Sequence, residues 1–342
     1  MGLGLLAGWV LVSYHNHSFH SPDSRLTAGD FMRFARGSGL DAVIVTDHDN
    51  VRAARDPSFL AVARPSGGAF APVARRPEAP FLMFGEEWGT FRAGRVRWGH
   101  VGLIGLEDGV SPLPDASLSE LLAGAGRRGV LAIINHPFNW ALSWRGTEPP
   151  AGAHGIEVWN QSWTMPVMEN ARALAWWDAA LRKGRRLLAL GGADTHGLEG
   201  SSYFYNETRV DRPVNLVWAE RPDAASVLAA LRAGRVMVAR DASAPGMVLD
   251  VDGLGPGEVL AAGTPGRVRV RLVRARGCVL QLHTAQGLMH LVPVTEDRAE
   301  IRCRLPLLAS GDFVRAELRR PAWGGDEMEV LSNPVYVSPG PL

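Results

Sequence analysis

The sequence predicts an α/β protein, with a parallel barrel of alternating strands and helices over residues 1–240 and a small β-sandwich over residues 241–342. Three observations carry this reading. Short apolar runs rich in Val, Ile and Leu alternate with helix-like segments up to about Arg240. Those runs end on polar clusters of His, Asp, Glu or Asn. Past Asp241 helix-period segments disappear and strand-like alternation takes over, as in RVRVRLVRARGCVLQLH, AEIRCRLPL, FVRAELRR and NPVYV.

Taken in order, Trp9 to Tyr14 reads as the first strand and runs into His15-Asn16-His17. On a strand, positions i and i+2 face one side, so both imidazoles can reach one metal ion. Asp23 follows beyond Pro22 in a loop-like stretch. Thr27 to Arg36 predicts a helix with Thr27 as N-cap and Asp30 three residues on, stopped by Gly37 and Gly39. Asp41 to Thr46 predicts a buried strand ending on Asp47-His48-Asp49. Val51 to Pro80, rich in Arg, Ala, Pro and Gly, reads as a helix and a meandering loop. Phe81 to Phe84 is a strand ending on Gly85-Glu86-Glu87-Trp88, and His100 precedes the apolar run Val101 to Leu106. A helix over Leu118 to Arg127 follows Ser117, and the strand Val130 to Ile134 ends on Asn135-His136-Pro137. Gly155 to Trp159 is the next strand, with Glu157 and Asn160 near its end, before a Trp- and Ala-rich helix over Pro166 to Arg182. Arg186 to Leu190 then ends on Gly191-Gly192-Ala193-Asp194-Thr195-His196. The helix Asp223 to Ala233 and the strand Gly234 to Arg240 complete the first unit. Polar residues at successive strand ends place a site at the carboxyl-end rim of the barrel.

A chain of 342 residues, 46% hydrophobic and 21% charged, has ample material for a core. Its formal net charge of +1 gives no global basic signature for nucleic acid. Arg267 to Arg276 alternates Arg with Val and Leu, as in a strand with one solvated face. Cys278 and Cys303 form no metal-spaced pair and no disulfide framework, which suits a reducing cytosol. The opening MGLGLLAGWVLVSY lacks a basic n-region and a small-residue cleavage site. Later runs fall short of the roughly 20 apolar residues of a membrane span. A cytoplasmic protein with no membrane partner is expected.

The constellation is therefore His15, His17, Asp23, His48, Glu87, His100, His136, Asp194 and His196. His154, His283 and His290 read as ordinary hydrogen-bonded or surface side chains, with His20 near enough to touch a substrate. Asp47 and Asp49 read as residues that orient His48. Glu86 and Glu87 compete for one role, and the Gly-x-Glu spacing favours Glu87.

In this order, His15-Asn16-His17, Thr46-Asp47-His48-Asp49, Gly85-Glu86-Glu87, Asn135-His136-Pro137 and Gly192-Ala193-Asp194-Thr195-His196 resemble the motifs of the PHP (polymerase and histidinol phosphatase) superfamily. The likeness covers roughly residues 9–200. The phrases Phe313-Val314-Arg315-Ala316-Glu317 and Ser332-Asn333-Pro334-Val335-Tyr336 resemble the C-terminal β domain of its carbaryl-hydrolase-like branch. The resemblance implies a distorted (β/α)7 barrel holding up to three metals. His15, His17, Glu87 and Asp194 would hold the first ion, with Glu87 bridging to a second held by His100 and His136. Asp23, His48 and His196 would hold the third. Glu87, Asp194 and His196 are the expected catalytic residues. The chain departs from the family where Ser21-Pro22-Asp23-Ser24 follows the first motif, and where His100 stands before an apolar run rather than after one.

Imidazole and carboxylate donors without thiolate suit two to three divalent ions of Zn, Mn or Fe. Two ions about 3.5–4 Å apart can share a water whose pKa falls toward ~7. Three ions against three carboxylates leave roughly +3, a pocket that prefers an anionic small molecule, and a phosphoester is the expected substrate. Hydrolysis of a carbamate, ester or amide at the same site is the alternative, and a metal-binding module without catalysis a third reading. Amidohydrolase barrels also begin with HxH but often bridge their metals with a carboxylated Lys. Here the sole lysine, Lys183, lies at a helix end. The β domain has scattered His283 and His290 and is expected to contribute no ligand.

Overall fold

A computed structural model of the chain describes residues 8–63, 80–89, 91–92, 95–96, 99–111, 117–139, 144, 146–161, 163, 167–197, 209–323 and 325–338. The first strand, β1 (Trp9–Asn16), leads through a loop to α1 (Ala28–Ser38). The Asp30 N–H donates to Thr27 Oγ1, and the Thr27 N–H returns a bond to Asp30 Oδ2. This reciprocal cap satisfies two of the donors that a helix start leaves open. Gly39, at φ 72°, ends the helix where an L side chain would be strained. The chain continues through β2 (Ala42–His48), a 3-10 turn (Arg52–Arg55) and α2 (Pro57–Ala63) to β3 (Phe81–Trp88). The loop expected before Pro80 falls on 64–79, outside the described residues.

A two-residue pair, β4 (Phe91–Arg92) and β5 (Arg95–Val96), precedes β6 (His100–Ile104). α3 (Leu118–Arg127), capped by Ser117 and Glu120, leads to β7 (Leu131–Asn135) and β8 (Gly155–Asn160). α4 (Val167–Arg182) matches the Trp- and Ala-rich helix, whose expected first residue, Pro166, lies outside the described residues. β9 (Leu188–Gly192), β10 (Val214–Trp218), α5 (Ala224–Arg232) and β11 (Val236–Ala239) follow. Among the described residues, no helix is long and apolar enough to cross a membrane.

The run β1-β2-β3-β6-β7-β8-β9 contains seven strands in lateral order. The all-parallel expectation is corrected at β6, which is antiparallel to both β3 and β7. β10 is likewise antiparallel to β1. The two ends of the run meet at the rim. There the Ala193 N–H donates to the Tyr14 carbonyl (2.8 Å), and the His17 N–H to the Thr195 carbonyl (2.9 Å). Each strand is buried on both faces, as expected for a sheet with helices outside. Val10, Val12, Ile44, Phe81, Met83, Ile133, Leu188 and Leu190 fill one cluster inside the curved sheet. Leu11, Val43, Val45, Leu82 and Phe84 point the other way, among Phe31, Met32 and Phe59 of α1 and α2.

Beyond β11 the regular elements among the described residues are all strands: β12 (Gly246–Val251), β13 (Val259–Ala261), β14 (Arg267–Val273), β15 (Val279–Thr284), β16 (Gly287–Pro293), β17 (Arg298–Arg304), β18 (Phe313–Ala322), β19 (Gly325–Ser332) and β20 (Val335–Ser338). β12, β14 and β17 form a three-stranded sheet. Its inner residues Met247, Leu249, Val268, Val270 and Leu272 share a core with Leu280, Leu282, Val314, Ala316, Leu318 and Val330 of the other layer. In β14 each Arg points to solvent and each intervening Val or Leu points inward. The sheet does not stop at residue 240. β11 pairs antiparallel with β19, so one hydrogen-bonded sheet of 15 strands runs from the sandwich into the barrel.

Candidate metal centre

Strand parity decides which side chains reach the rim. Along β3, Phe81 and Met83 point into the barrel interior, so Gly85 and Glu87 continue that face, while Leu82, Phe84 and Glu86 take the outer one. Glu87 is 1% exposed and stands in register with His48 on β2 and Gly102 on β6. Glu86 instead accepts a hydrogen bond from Ser111 Oγ (2.5 Å). Because β6 runs backwards, its first residue lies level with the last residue of β7, which brings His100 beside Asn135.

Five imidazoles surround Glu87. Its Oε1 lies 3.0 Å from His15 Nε2, 2.9 Å from His100 Nδ1 and 3.1 Å from His136 Nε2. Its Oε2 lies 3.0 Å from His48 Nδ1 and 3.5 Å from His17 Nε2. Asp194 Oδ1 adds approaches to His15 (3.4 Å), His17 (3.6 Å) and His196 (3.5 Å). Asp23, whose side chain is 52% exposed, stands at the open side, 3.3 Å from His48 Nε2 and 3.5 Å from His196 Nε2. All nine residues singled out in the sequence thus meet in one cluster. Four overlapping sets of donor atoms within it lie inside 4.8 Å of one another: His15, His17 and Glu87; His15, His136 and Asp194; His48, Glu87 and His100; His17, His48 and His196.

Regular strand geometry does not bring the first two imidazoles together. The β1–β2 register shifts between Ser13 and Asn16, and His15 has φ 66°. His136 (24°) and Asp194 (50°) also have positive φ, which is costly for residues with a Cβ and recurs at functional sites. Two glycines make room for buried partners. A Cβ at Gly192 would overlap Glu157 Oε1, and one at Gly102 would overlap the Tyr14 hydroxyl.

Burial opposes charge throughout the cluster, yet the mutual contacts win at several positions. Glu87 and Asp194 are held well below the usual carboxylate range by the imidazoles around them, against the effect of burial. Burial lowers His48, but its close contacts with Asp23 and Glu87 outweigh it and carry the ring up to about 10. His15 and His136 are raised in the same way, chiefly by Glu87. Burial, with repulsion from His196 and His48, pushes His17 well down. Burial lowers His100 despite its contact with Glu87.

A second ring of contacts orients these side chains. Glu157 Oε1 lies 2.9 Å from His15 Nδ1 and its Oε2 accepts from the His136 N–H (2.7 Å). A carboxylate on Nδ1 leaves the Nε2 lone pair of His15 facing Glu87. The Tyr14 hydroxyl donates to Asn135 Oδ1 (2.6 Å), and Asn135 Nδ2 donates to Glu87 Oε1 (2.9 Å). Asp47 does not orient the His48 ring directly. It accepts from the Ser18 N–H, Ser18 Oγ and Ser21 Oγ, and Ser21 Oγ in turn receives the His48 N–H. Asp49 accepts the Gly89 N–H. The sequence shows Glu157 only as an acid near a strand end and singles out neither Tyr14 nor Asn135 as a ligand, yet all three take part in the site. His20 contacts Asp56, and His154 Nδ1 accepts the Ala132 N–H.

The donor set fits divalent ions. His15 Nε2, His17 Nε2, His48 Nδ1, His136 Nδ1, both nitrogens of His100 and Glu87 Oε2 are buried without a hydrogen-bond partner. Several sit at hydrogen-bond distance from a carboxylate but off the hydrogen-bond direction. Unmet buried polar atoms are costly and uncommon, and a shared cation satisfies converging lone pairs together.

The chain matches no known family profile and none of the curated proteins by sequence. Among solved structures it is similar to a two-domain protein from Bacteroides vulgatus containing a predicted PHP-like metal-dependent phosphoesterase. That likeness has 17% identity, covers 96% of each chain and gives a TM-score of 0.50. The likeness is one of fold. An amidohydrolase from Chromobacterium violaceum is also similar, at 17% identity over 54% of this chain and 87% of the other, with a TM-score of 0.36.

Proposed function

We propose that the chain is a metal-dependent hydrolase of the PHP type acting on a small anionic phosphoester. Residues 1–240 would form its catalytic unit and residues 241–342 an accessory module. The observation that carries this reading is Glu87, buried among five imidazoles, four of which face it with a nitrogen that lacks a directed hydrogen bond. His15, His17, Glu87 and Asp194 would hold one ion, and Glu87, His100 and His136 a second. Asp23, His48 and His196 would hold a third; His48 also touches Glu87.

Bound Zn, Mn or Fe ions supply a water acidified toward neutral pH and an electrophile for charge developing on the substrate. The chain's own residues set the geometry. Glu87 and Asp194 hold the imidazoles in place, and Glu157 fixes the tautomer of His15. His196 Nδ1 lies 3.0 Å from the carbonyl of Asp194, which leaves Nε2 facing His48 and Asp23 as a ligand or base. The Asp23 side is the open one, and substrate enters there.

Three ions against Asp23, Glu87, Asp194 and the buried Glu157 leave about +2, still an excess that favours an anion. Lys183 pairs with Glu148 at the surface, which supports Glu87 rather than a modified lysine as the bridge. The free Cys278 and Cys303 support a reducing, cytoplasmic setting.

Two measurements test the proposal. Protein purified without chelator should carry at least two equivalents of metal; one or none in folded protein overturns it. A panel of phosphomonoesters, phosphodiesters and aryl carbamates with a defined metal should show phosphoester turnover. Turnover of carbamates alone would make the substrate neutral, and metal uptake with no turnover would favour the non-catalytic module.

A further inference from the structure

Strand β9 carries Asp194 and His196 just beyond its end, and among the described residues it has a strand neighbour, β8, on one edge only. Its other edge is nevertheless met at every second residue. The Ala189 N–H donates to Asn333 Oδ1 (2.7 Å), and the Ala189 carbonyl accepts from Asn333 Nδ2 (2.9 Å). Two residues on, the Gly191 N–H donates to Asn215 Oδ1 (2.9 Å), and the Gly191 carbonyl accepts from Asn215 Nδ2 (2.8 Å). Another two residues on, the Ala193 N–H reaches the Tyr14 carbonyl, and the Thr195 carbonyl receives the His17 N–H.

A primary amide presents the same donor and acceptor as a peptide group, so each Asn substitutes for one residue of a missing strand. Both side chains are buried, and each also ties in a further strand. Asn333 Nδ2 donates to the Val236 carbonyl (3.1 Å) and Asn215 Nδ2 to the Val12 carbonyl (3.4 Å). Gly191 allows this approach, because a Cβ there would sit 2.6 Å from Val238 and 2.7 Å from Pro213.

We propose that Asn333, from the C-terminal module, and Asn215, from β10, are positioning residues that complete the free edge of β9 and thereby hold Asp194 and His196 in the metal centre. The module thus serves the site without giving it a ligand. An apolar residue of the same size would pack but would orphan two backbone groups, leaving β9 free to shift against β1.

Amide exchange and metal affinity, measured on the full chain, test this. In the wild type, the Ala189 and Gly191 amides should exchange as slowly as that of Leu188, which is bonded to the His154 carbonyl. Exchange at the rate of an open strand edge would overturn the proposal whether or not any variant folds. In Asn333→Leu, exchange at Ala189 should rise about tenfold or more, and metal should bind about tenfold or more weakly. Asn215→Leu should do the same at Gly191. Ser332→Ala removes a hydroxyl that serves Ala316 within the module and should change neither quantity. Unchanged exchange in a folded Asn333→Leu overturns the proposal, as does raised exchange with unchanged metal affinity. The link to metal rests on the function proposed above; exchange in metal-free protein does not. A wild-type chain that takes up no metal would therefore sink that function, while exchange at Ala189 judges the positioning.

Discussion

The barrel rim and the C-terminal module both bury charge, and they do so in opposite ways. In the module, Glu317 receives Arg315 and Arg319, Glu329 receives Arg320 and Arg240, and Arg315 reaches across to Asp178 on α4. Each carboxylate there faces guanidinium donors in directed contacts. At the rim, Glu87 has more neighbours than any of these, yet one of its oxygens and several facing nitrogens make no directed hydrogen bond. Saturated buried charge fixes how elements pack. Buried polar atoms that converge without satisfying one another mark a place prepared for ions. Contact number alone would have ranked the two regions together; direction separates them.

Breaking the rim at its centre should have the largest effect. Glu87→Ala should lose metal at the shared positions and reduce turnover by about a thousandfold or more, read by metal analysis and hydrolysis. Glu86→Ala is the comparison, and a severe metal loss there instead would move the bridge by one residue.

Glu317→Gln attacks the saturated region, and about 3 kcal/mol of stability should go, because the buried Arg315 is left with Asp178 alone and the partly buried Arg319 loses its counter-charge. Metal content should stay unchanged. Burial raises the Glu317 carboxyl, but Arg315 and Arg319 outweigh it and bring it to about 2, below its ordinary 4.5. The stabilisation is therefore present above pH 4.5 and is lost as pH falls through about 2. Burial lowers His283 from 6.5 to about 4, so the unfolded chain gains a proton first and stability falls between those values. Acid titrations of wild type and Glu317→Gln should converge toward pH 2; a constant gap would contradict the assignment.

Glu157→Gln keeps the shape beside His15 but removes the charge, and metal affinity should drop about 10–100-fold at unchanged fold, measured by competition with a chelator. Asp23→Ala should be mildest, about tenfold or less in affinity and confined to the most weakly held ion. Equal metal loss in Asp23→Ala and Glu87→Ala would show that the open side matters as much as the centre.

The sequence made the rim legible because ligand-type residues gather at strand ends, and a strand end is visible as the point where an apolar run stops. Parity could have separated Glu86 from Glu87, since counting from Phe81 puts only the latter on the interior face. Other features were hidden for physical reasons. An apolar run has no direction, so the reversal of β6 that explains why His100 precedes Val101 could not be read from it. Glu157 and Asn215 sit inside strands rather than at exits, and their partners lie 142 and 24 residues away. The bulge at His15 leaves no periodic trace, because Ser13 to His17 is buried throughout. A lone Glu or Asn inside an otherwise apolar strand was the available signal, and it meant an inward contact each time.

The ladder between β11 and β19 bears on motion. Met237, Val238 and Ala239 pair residue by residue with Ser332, Leu331 and Val330, so backbone hydrogen bonds span the junction that separate modules commonly leave to side chains. Swinging the module away from the barrel would break that ladder, which makes the junction a stiff joint rather than a hinge. On the proposed function, access to the metal centre then rests on the open side around half-exposed side chains such as Asp23, not on movement of the module.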